Sequence, residues 1–421
     1  MFICAICFLI GGCSLNIPLE DQFSDPDAIT DVLSARSLLA SAYKAMPQQI
    51  FQLSVLSDDF CPSQHLNKDM SLQGLYNWRE VEMTELAGTL WAGYYAVIAE
   101  VNALLARIDA VVTLDETEKL EKMRIVCEAK ALKSWCYFDL LRLFAPRYEG
   151  NENKDGIILK KRVELDFLPR SSVKECVTEI RTLLNEARNV DNTQKNVYWL
   201  SDKAVAYLQV ELELYAGNYP AVLELTKDLE TEYPESVLGA DVYKYLWSSE
   251  NSDARIFGKY QLEQIYMDIR FDTFEKGDYL VLSQNVDYEE EDIRKEWSEI
   301  PFVMPDAKNV RLLGKYNKMN RDKVASKYVN VARAAGMWLM RVEALARSGK
   351  EGDAVALANR MLKQRGATEW STNIAGNELI SKILIERQKE YVGEGIRFFD
   401  MKRCGLSAIR YATYAVSYTH L

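Results

Sequence analysis

Histidine is almost missing from this chain. Among 421 residues there are two, His65 and His420, which excludes a histidine-rich metal site and leaves any Ser-His-Asp or Cys-His arrangement only these two to use. Neither is well placed, since His65 lies in a stretch rich in Pro, Ser, Gln and Asn and His420 is the penultimate residue. Positive charge is short as well. A net charge of -11 argues against nucleic acid as a partner, because phosphate neutralisation needs Lys and Arg clustered on one face. Glycine and proline are sparse, at 20 and 10 residues in a chain that is 48% hydrophobic, so extensive disorder is excluded. There is no Gly-rich phosphate loop and no spaced set of metal-ligating residues, so no metal, nucleotide or redox cofactor is implied. The eight cysteines, Cys4, Cys7, Cys13, Cys61, Cys127, Cys136, Cys176 and Cys404, make no CxxC pair after the leader and read as buried or free thiols.

The first apolar run, residues 2–10, is too short for a membrane span, which needs about 20 residues, and matches the h-region of a signal peptide. It runs into Ile10-Gly11-Gly12-Cys13, which resembles a bacterial lipobox. On that reading Cys13 is diacylated and becomes the mature N-terminus, since two acyl chains give durable anchoring where one is marginal. No Lys or Arg precedes the apolar run, so the true start is expected several residues upstream. The alternative is a cytosolic protein with an apolar first strand. The resulting division is a signal peptide at 1–12, an acylated N-terminus and tether at 13–34, one α-helical domain at 35–403 and a truncated tail at 404–421 whose last residues, 417–421, read as non-native linker.

What the sequence does have is helical period. Between 123 and 144, Ile125, Ala129, Leu132, Cys136, Leu140 and Leu143 recur at spacings of three and four, and Ala145-Pro146 ends the helix. Residues 90–108 read the same way, with Trp91, Tyr95, Ile98, Asn102 and Leu105 on one side. Two later stretches, "AYLQVELELYAGNYPAVLEL" and "WLMRVEALARSGKEGDAVAL", each run a striped helix into Gly217 or Gly349, then a turn, then a second helix. This resembles the tetratricopeptide unit, in which helix pairs stack because none buries its apolar face alone. The chain is therefore expected to be mainly α, with degenerate tetratricopeptide-like pairs forming a superhelical scaffold. Between them, 233–311 loses the period and is rich in Tyr, Trp, Asp and Ser, as expected of a loop-rich insertion.

The stretch "ERQKEYVGEGIRFFDMKR", 386–403, carries nine charged side chains. Glu390 and Glu394 are four apart and would suit a retaining glycoside hydrolase if helical, but Arg387, Lys389 and Arg397 lie within a turn and would lower carboxylate pKa values, the wrong direction for a general acid. The preferred reading is a brace in which Arg387, Glu390, Glu394, Arg397 and Asp400 form ion pairs along one helix face or across a break at Gly393 and Gly395, with Phe398 and Phe399 as anchors.

Four stretches in order, the lipobox with "IPLEDQFSDPDAITD", then "LWAGYYAVIAEVNALLARI", then "CEAKALKSWCYFDLLRLFAPRY" with "PRSSVKECVTEI", and last 386–403 preceded by 338–367, resemble the SusD/RagB family of outer-membrane nutrient-binding lipoproteins. The resemblance implies a non-catalytic, lipid-anchored protein that is surface-exposed on the outer membrane, captures glycans or oligosaccharides and passes them to a SusC-like TonB-dependent transporter. The alternative from another class is a tetratricopeptide-like scaffold that binds protein alone. The chain is shorter than most family members, and after Cys404 it departs from the family's pattern.

Sugar rings present apolar faces framed by hydroxyls, so an aromatic platform beside polar groups is the expected site. Asp58, Asp59, Asn67, Tyr76, Asn77, Trp78 and Arg79 offer one such set, with Trp78 alternatively a core anchor. In the insertion, Tyr245, Trp247, Tyr260, Tyr279 and Trp297 are further candidates, whereas Trp91, Trp135 and Trp338 sit on striped helices and belong to the core.

Overall fold

The computed structural model describes residues 29–62, 70–163, 167–188, 196–248, 251–260, 280–303, 307, 309–317 and 328–409. Cys13, Asn67, Tyr279 and the tail beyond 409 lie outside them. The helices are α1 (Val32–Ala45), α2 (Ile50–Leu56), α3 (Met70–Tyr76), α4 (Glu80–Arg107), α5 (Glu116–Phe144), α6 (Val173–Ala187), α7 (Asp202–Tyr215), α8 (Tyr219–Leu225), α9 (Leu229–Glu232), α10 (Ala240–Tyr243), α11 (Ile293–Ser298), α12 (Ala334–Arg347), α13 (Glu351–Arg365), α14 (Gly376–Tyr391) and α15 (Ile396–Cys404). The strands are β1 (Phe60–Pro62), β2 (Arg255–Tyr260), β3 (Leu280–Leu282), β4 (Glu299–Val303), β5 (Asn309–Leu313) and β6 (Tyr328–Arg333).

Local chemistry sets the helix ends. The α5 helix starts about two turns before the apolar stripe, because the Asp115 side chain accepts from the Glu118 N–H and Glu116 and Glu118 sit at the positive end of the helix dipole. The α6 helix opens on a capping box between Ser172 and Glu175, and its buried Val173, Cys176, Val177, Ile180, Leu183 and Leu184 follow the three-four spacing. Gly217 and Gly349 take the left-handed conformation just after α7 and α12, as expected from the sequence, with φ of 69° and 75°.

The helices pack as α1 with α4, α5 with α6, α7 with α8 and α12 with α13. One hydrophobic core runs from Val32 to Phe399 and contains Trp135 and Trp338. The described part of the stretch expected to be loop-rich contributes short helices and strands, which join β1 and β6 from outside it in two small antiparallel sheets, one in the order β1-β3-β5-β4 and the other β2-β6. A separate small core of Cys61, Val281, Ile300, Val310 and Leu312 covers the first sheet. That sheet positions the candidate site, because Phe60 to Pro62 pair with Leu282 to Leu280 and so fix the residues just before them.

Candidate functional site

The charged stretch at 386–403 spans α14, a break and α15. Gly393 and Gly395 form that break in the left-handed region, with φ of 75° and 77°. Glu390 is fully buried. Its carboxylate accepts from Arg333 at 2.6 Å, Arg365 at 2.8 Å and Arg294 at 3.4 Å. Glu394, also buried, pairs with Lys315 at 2.8 Å and Arg333 at 2.9 Å. Arg294 further binds Asp292 at 2.7 Å and Glu386 at 2.5 Å. Four cations from α11, the segment after β5, β6 and α13 thus meet four carboxylates in the interior. Burial alone would raise the Glu390 pKa, but Arg365, Arg333, Arg294 and Lys315 outweigh it and hold the group well below the usual carboxylate range. Burial, only partly offset by Glu394, brings Lys315 down to about 8.

The expected brace is present, but with different partners. Only Arg387 with Asp400, at 2.8 Å, pairs within the stretch across the break. Despite its burial, Asp400 is held at about 2 by Arg387 and Arg403. Arg397 reaches out of the stretch to Asp58, at 2.7 and 3.0 Å. Asp58 and Asp59 are therefore interior residues, 1% and 0% exposed, not ligand contacts as expected from the sequence. Asp59 accepts from the Gly393 N–H at 3.1 Å, and burial, with Asp58 adding to it, raises its pKa to about 7. Glu390 and Glu394, sealed among cations, offer no acid and base to a substrate.

An open groove of about 490 Å³ is lined by Tyr76, Asn77, Trp78, Leu406, Ser407 and Ala408. Its two walls end two helices in the same way. After α15, Gly405 sits at φ 65°, and the Leu406 N–H donates to the Met401 carbonyl at 2.8 Å. After α3, the Trp78 N–H donates to the Leu75 carbonyl at 3.0 Å and the Arg79 N–H to the Gly74 carbonyl at 2.9 Å, which puts Trp78 at the position normally taken by glycine. Its φ is 53°. A side chain there costs on the order of 1 kcal/mol. The indole N–H donates to the Leu56 carbonyl at 3.0 Å, and the side chain is 51% exposed, so Trp78 is a fixed, open platform and not a core anchor. Asp58 holds the facing wall, accepting from the Ile409 N–H at 3.2 Å.

The other candidates separate. Tyr76 is buried at the groove floor, while Asn77 and Arg79 are exposed, the first bonded to the Gln73 carbonyl and the second paired with Glu82 at 3.0 Å. Trp247 is fully buried against Tyr243 and Tyr316 with the Lys315 ammonium 4.8 Å from its ring, so it is a core residue and not a ligand contact. Trp297 lines a smaller cavity of about 260 Å³ with Asp241, Lys244 and Glu296. Tyr245 is half-buried, with Lys244 beside its ring, and Tyr260 is exposed on a different surface. The wall at 406–408 was not legible, because nothing in "GLSA" marks it except the glycine.

A helix-paired scaffold with a small β insertion and an aromatic surface groove is the class of protein that this fold and site define. The family described as "Starch-binding associating with outer membrane" matches residues 19–210, and the "SusD family" matches 239–419. The chain belongs to the SusD/RagB family. It is similar to the SusD-like protein P38 of Formosa agariphila, at 22% identity over 92% of this chain and 87% of that protein. It shares its fold with a SusD superfamily protein of Bacteroides thetaiotaomicron, at a TM-score of 0.77 and 18% identity over 92% of each chain. A SusD-like carbohydrate binding protein of Bacteroides vulgatus is similar at a TM-score of 0.72 and 19% identity, over 91% of this chain and 85% of that one.

Proposed function

We propose that this protein is a cell-surface glycan-binding lipoprotein, anchored in the outer membrane through Cys13, that captures oligosaccharide in the Trp78 groove and delivers it to a TonB-dependent transporter. Family membership supports the ligand class. The observation that carries the reading is Trp78 itself, a tryptophan kept where glycine is cheaper, with its indole fixed and half open to solvent. Strain retained at an exposed position points to a use other than stability. An indole face beside Asn77 and the backbone of the facing wall suits the apolar face and hydroxyl rim of a sugar. The reading calls for no chemistry, in keeping with carboxylates that are committed to internal cations.

The test is affinity electrophoresis in gels containing amylopectin, pullulan, laminarin, xylan or galactomannan. Wild type is expected to be retarded in at least one gel. Trp78→Gly is expected to migrate freely while staying within about 1 kcal/mol of wild-type stability, because relief of the left-handed strain offsets the lost indole contacts. Retardation of Trp78→Gly equal to wild type would overturn the assignment of the groove.

A further inference from the structure

A second aromatic surface is built from other elements: the segment just before α7 and the paired ends of β2 and β6. Four rings form a continuous row. Tyr198 lies 5.7 Å from Trp199 and 5.8 Å from Tyr260, and Tyr260 lies 6.0 Å from Tyr328, with interplanar angles of 54°, 58° and 68°. Tyr260 is 45% exposed and the other three are half-buried.

The row is held in place before any ligand arrives. The Gly258 N–H donates to the Val197 carbonyl at 2.9 Å, which locks the Tyr198 segment to β2. Tyr260 and Tyr328 are partners in the β2-β6 register. At one end Trp199 meets Tyr43 edge-on at 5.1 Å with the Arg36 guanidinium 5.0 Å from its ring, and at the other Arg255 lies 4.8 Å from the Tyr328 ring. Both cations are already committed, Arg36 to Glu121 and Glu128, and Arg255 to Asn330 and the carbonyls of Tyr245 and Leu246.

The surface offered is therefore aromatic, with the Arg36 charge met by two carboxylates and the Arg255 charge buried against the Tyr328 ring. Tyrosine suits a boundary that is apolar on one side and wet on the other. Successive pyranose rings of an extended chain present apolar faces at a spacing comparable with that of these rings, and their hydroxyls can bond to phenol oxygens at the edge.

We propose that Trp199, Tyr198, Tyr260 and Tyr328 form a second contact for a neutral polysaccharide, stacking its sugar rings outside the Trp78 groove. This rests on the glycan-binding reading and adds that the preferred ligand is a chain longer than the groove itself holds. Each stacked ring contributes roughly two- to tenfold in affinity.

The test uses the full chain, the polysaccharide that retards wild type, and a trisaccharide cut from it. Tyr198→Ala/Tyr260→Ala is expected to lose roughly tenfold or more in affinity for the polysaccharide and none for the trisaccharide, whereas Trp78→Gly loses both. Hydroxyl-radical footprinting of the unsubstituted protein is expected to show Tyr198 and Tyr260 protected by the polysaccharide, a measurement that does not depend on how the variant folds. A double variant that binds polysaccharide as wild type does, or an absence of protection, would overturn the second contact and leave the groove standing. A double variant that keeps the polysaccharide but loses its transporter would mark the row as a protein contact and overturn it equally. Failure of wild type to bind any glycan in the panel would overturn both readings.

Discussion

Replacing Glu390 by Gln removes one negative charge from the centre of the buried lattice and little else in shape. Arg333, Arg365 and Arg294 all direct donors at that carboxylate, and each is no more than 1% exposed in its side chain. Three guanidinium groups then share one carboxylate fewer, and the amide of Gln turns a donor toward them. Breaking a buried pair by removing one partner costs about 3 to 5 kcal/mol. Against a total stability of about 5 to 15 kcal/mol, that is a large fraction. The check is urea unfolding at pH 7, followed by far-UV circular dichroism and tryptophan fluorescence, with an unchanged slope to show that the two end states are comparable. A midpoint for Glu390→Gln equivalent to less than about 1 kcal/mol from wild type would refute the reasoning. The same variant separates brace from catalyst, since a carboxylate that served only chemistry could be neutralised without loss of stability. The pH sign follows from the depressed pKa. Stability from Glu390 is fully present above the unfolded value of about 4.3 and is lost as pH falls through the folded value, so part of the wild type's acid sensitivity below about pH 4 is absent in the variant.

Arg397→Ala leaves the buried Asp58 without its cation and is expected to lower stability by about 3 to 5 kcal/mol, with glycan retention failing together with folding. A well-folded Arg397→Ala with selectively lost binding, seen by comparing melting temperature with gel retardation, would contradict this. Asp59 has the opposite pH sign from Glu390. Its folded pKa of about 7 lies above the unfolded value, so its stabilisation is fully present below about pH 3.9 and is lost as pH rises through 7. Denaturation of wild type and Asp59→Asn at pH 5 and pH 8 should show the fall with rising pH reduced in the variant; an identical fall in both would remove Asp59 as its source. The Trp78→Gly and Tyr198→Ala/Tyr260→Ala experiments complete the set.

The helical scaffold was legible because a helix writes its buried face into the sequence at a fixed period, and the glycines at 217 and 349 mark its ends. Of the candidates marked by composition, Tyr76, Asn77 and Trp78 line the groove and Arg79 does not. The partners of the charged stretch were not legible. Alternating signs suggested pairing along one helix, yet Glu386 and Glu390 lie one helical turn apart on the same face and carry the same sign. Like charges at that spacing repel. Two buried carboxylates on one face must draw cations from elsewhere, and these come from Arg294, Arg333 and Arg365. The need for such partners is readable in the sequence, whereas their identity depends on the fold. The aromatic insertion failed for a related reason. Tyr245, Trp247 and Tyr260 belong to one compositional class, but Trp247 lies in a short 3-10 turn packed into the core beneath Lys315, whereas Tyr260 ends β2 at the surface.

The groove walls sharpen this point. Both α3 and α15 end in the same hydrogen-bonded turn, one on Trp78 and the other on Gly405. Gly405 is what local conformational preference selects, and an added Cβ there would come within 2.4 Å of the Arg147 guanidinium. Trp78 opposes the same preference. If stability alone had shaped both ends, both would carry glycine, or Trp78 would be buried enough for its packing to offset the strain. It is 51% exposed, and the bond from its indole N–H to the Leu56 carbonyl fixes the ring's direction. A residue that is strained, oriented and open together supports the ligand contact proposed for this groove.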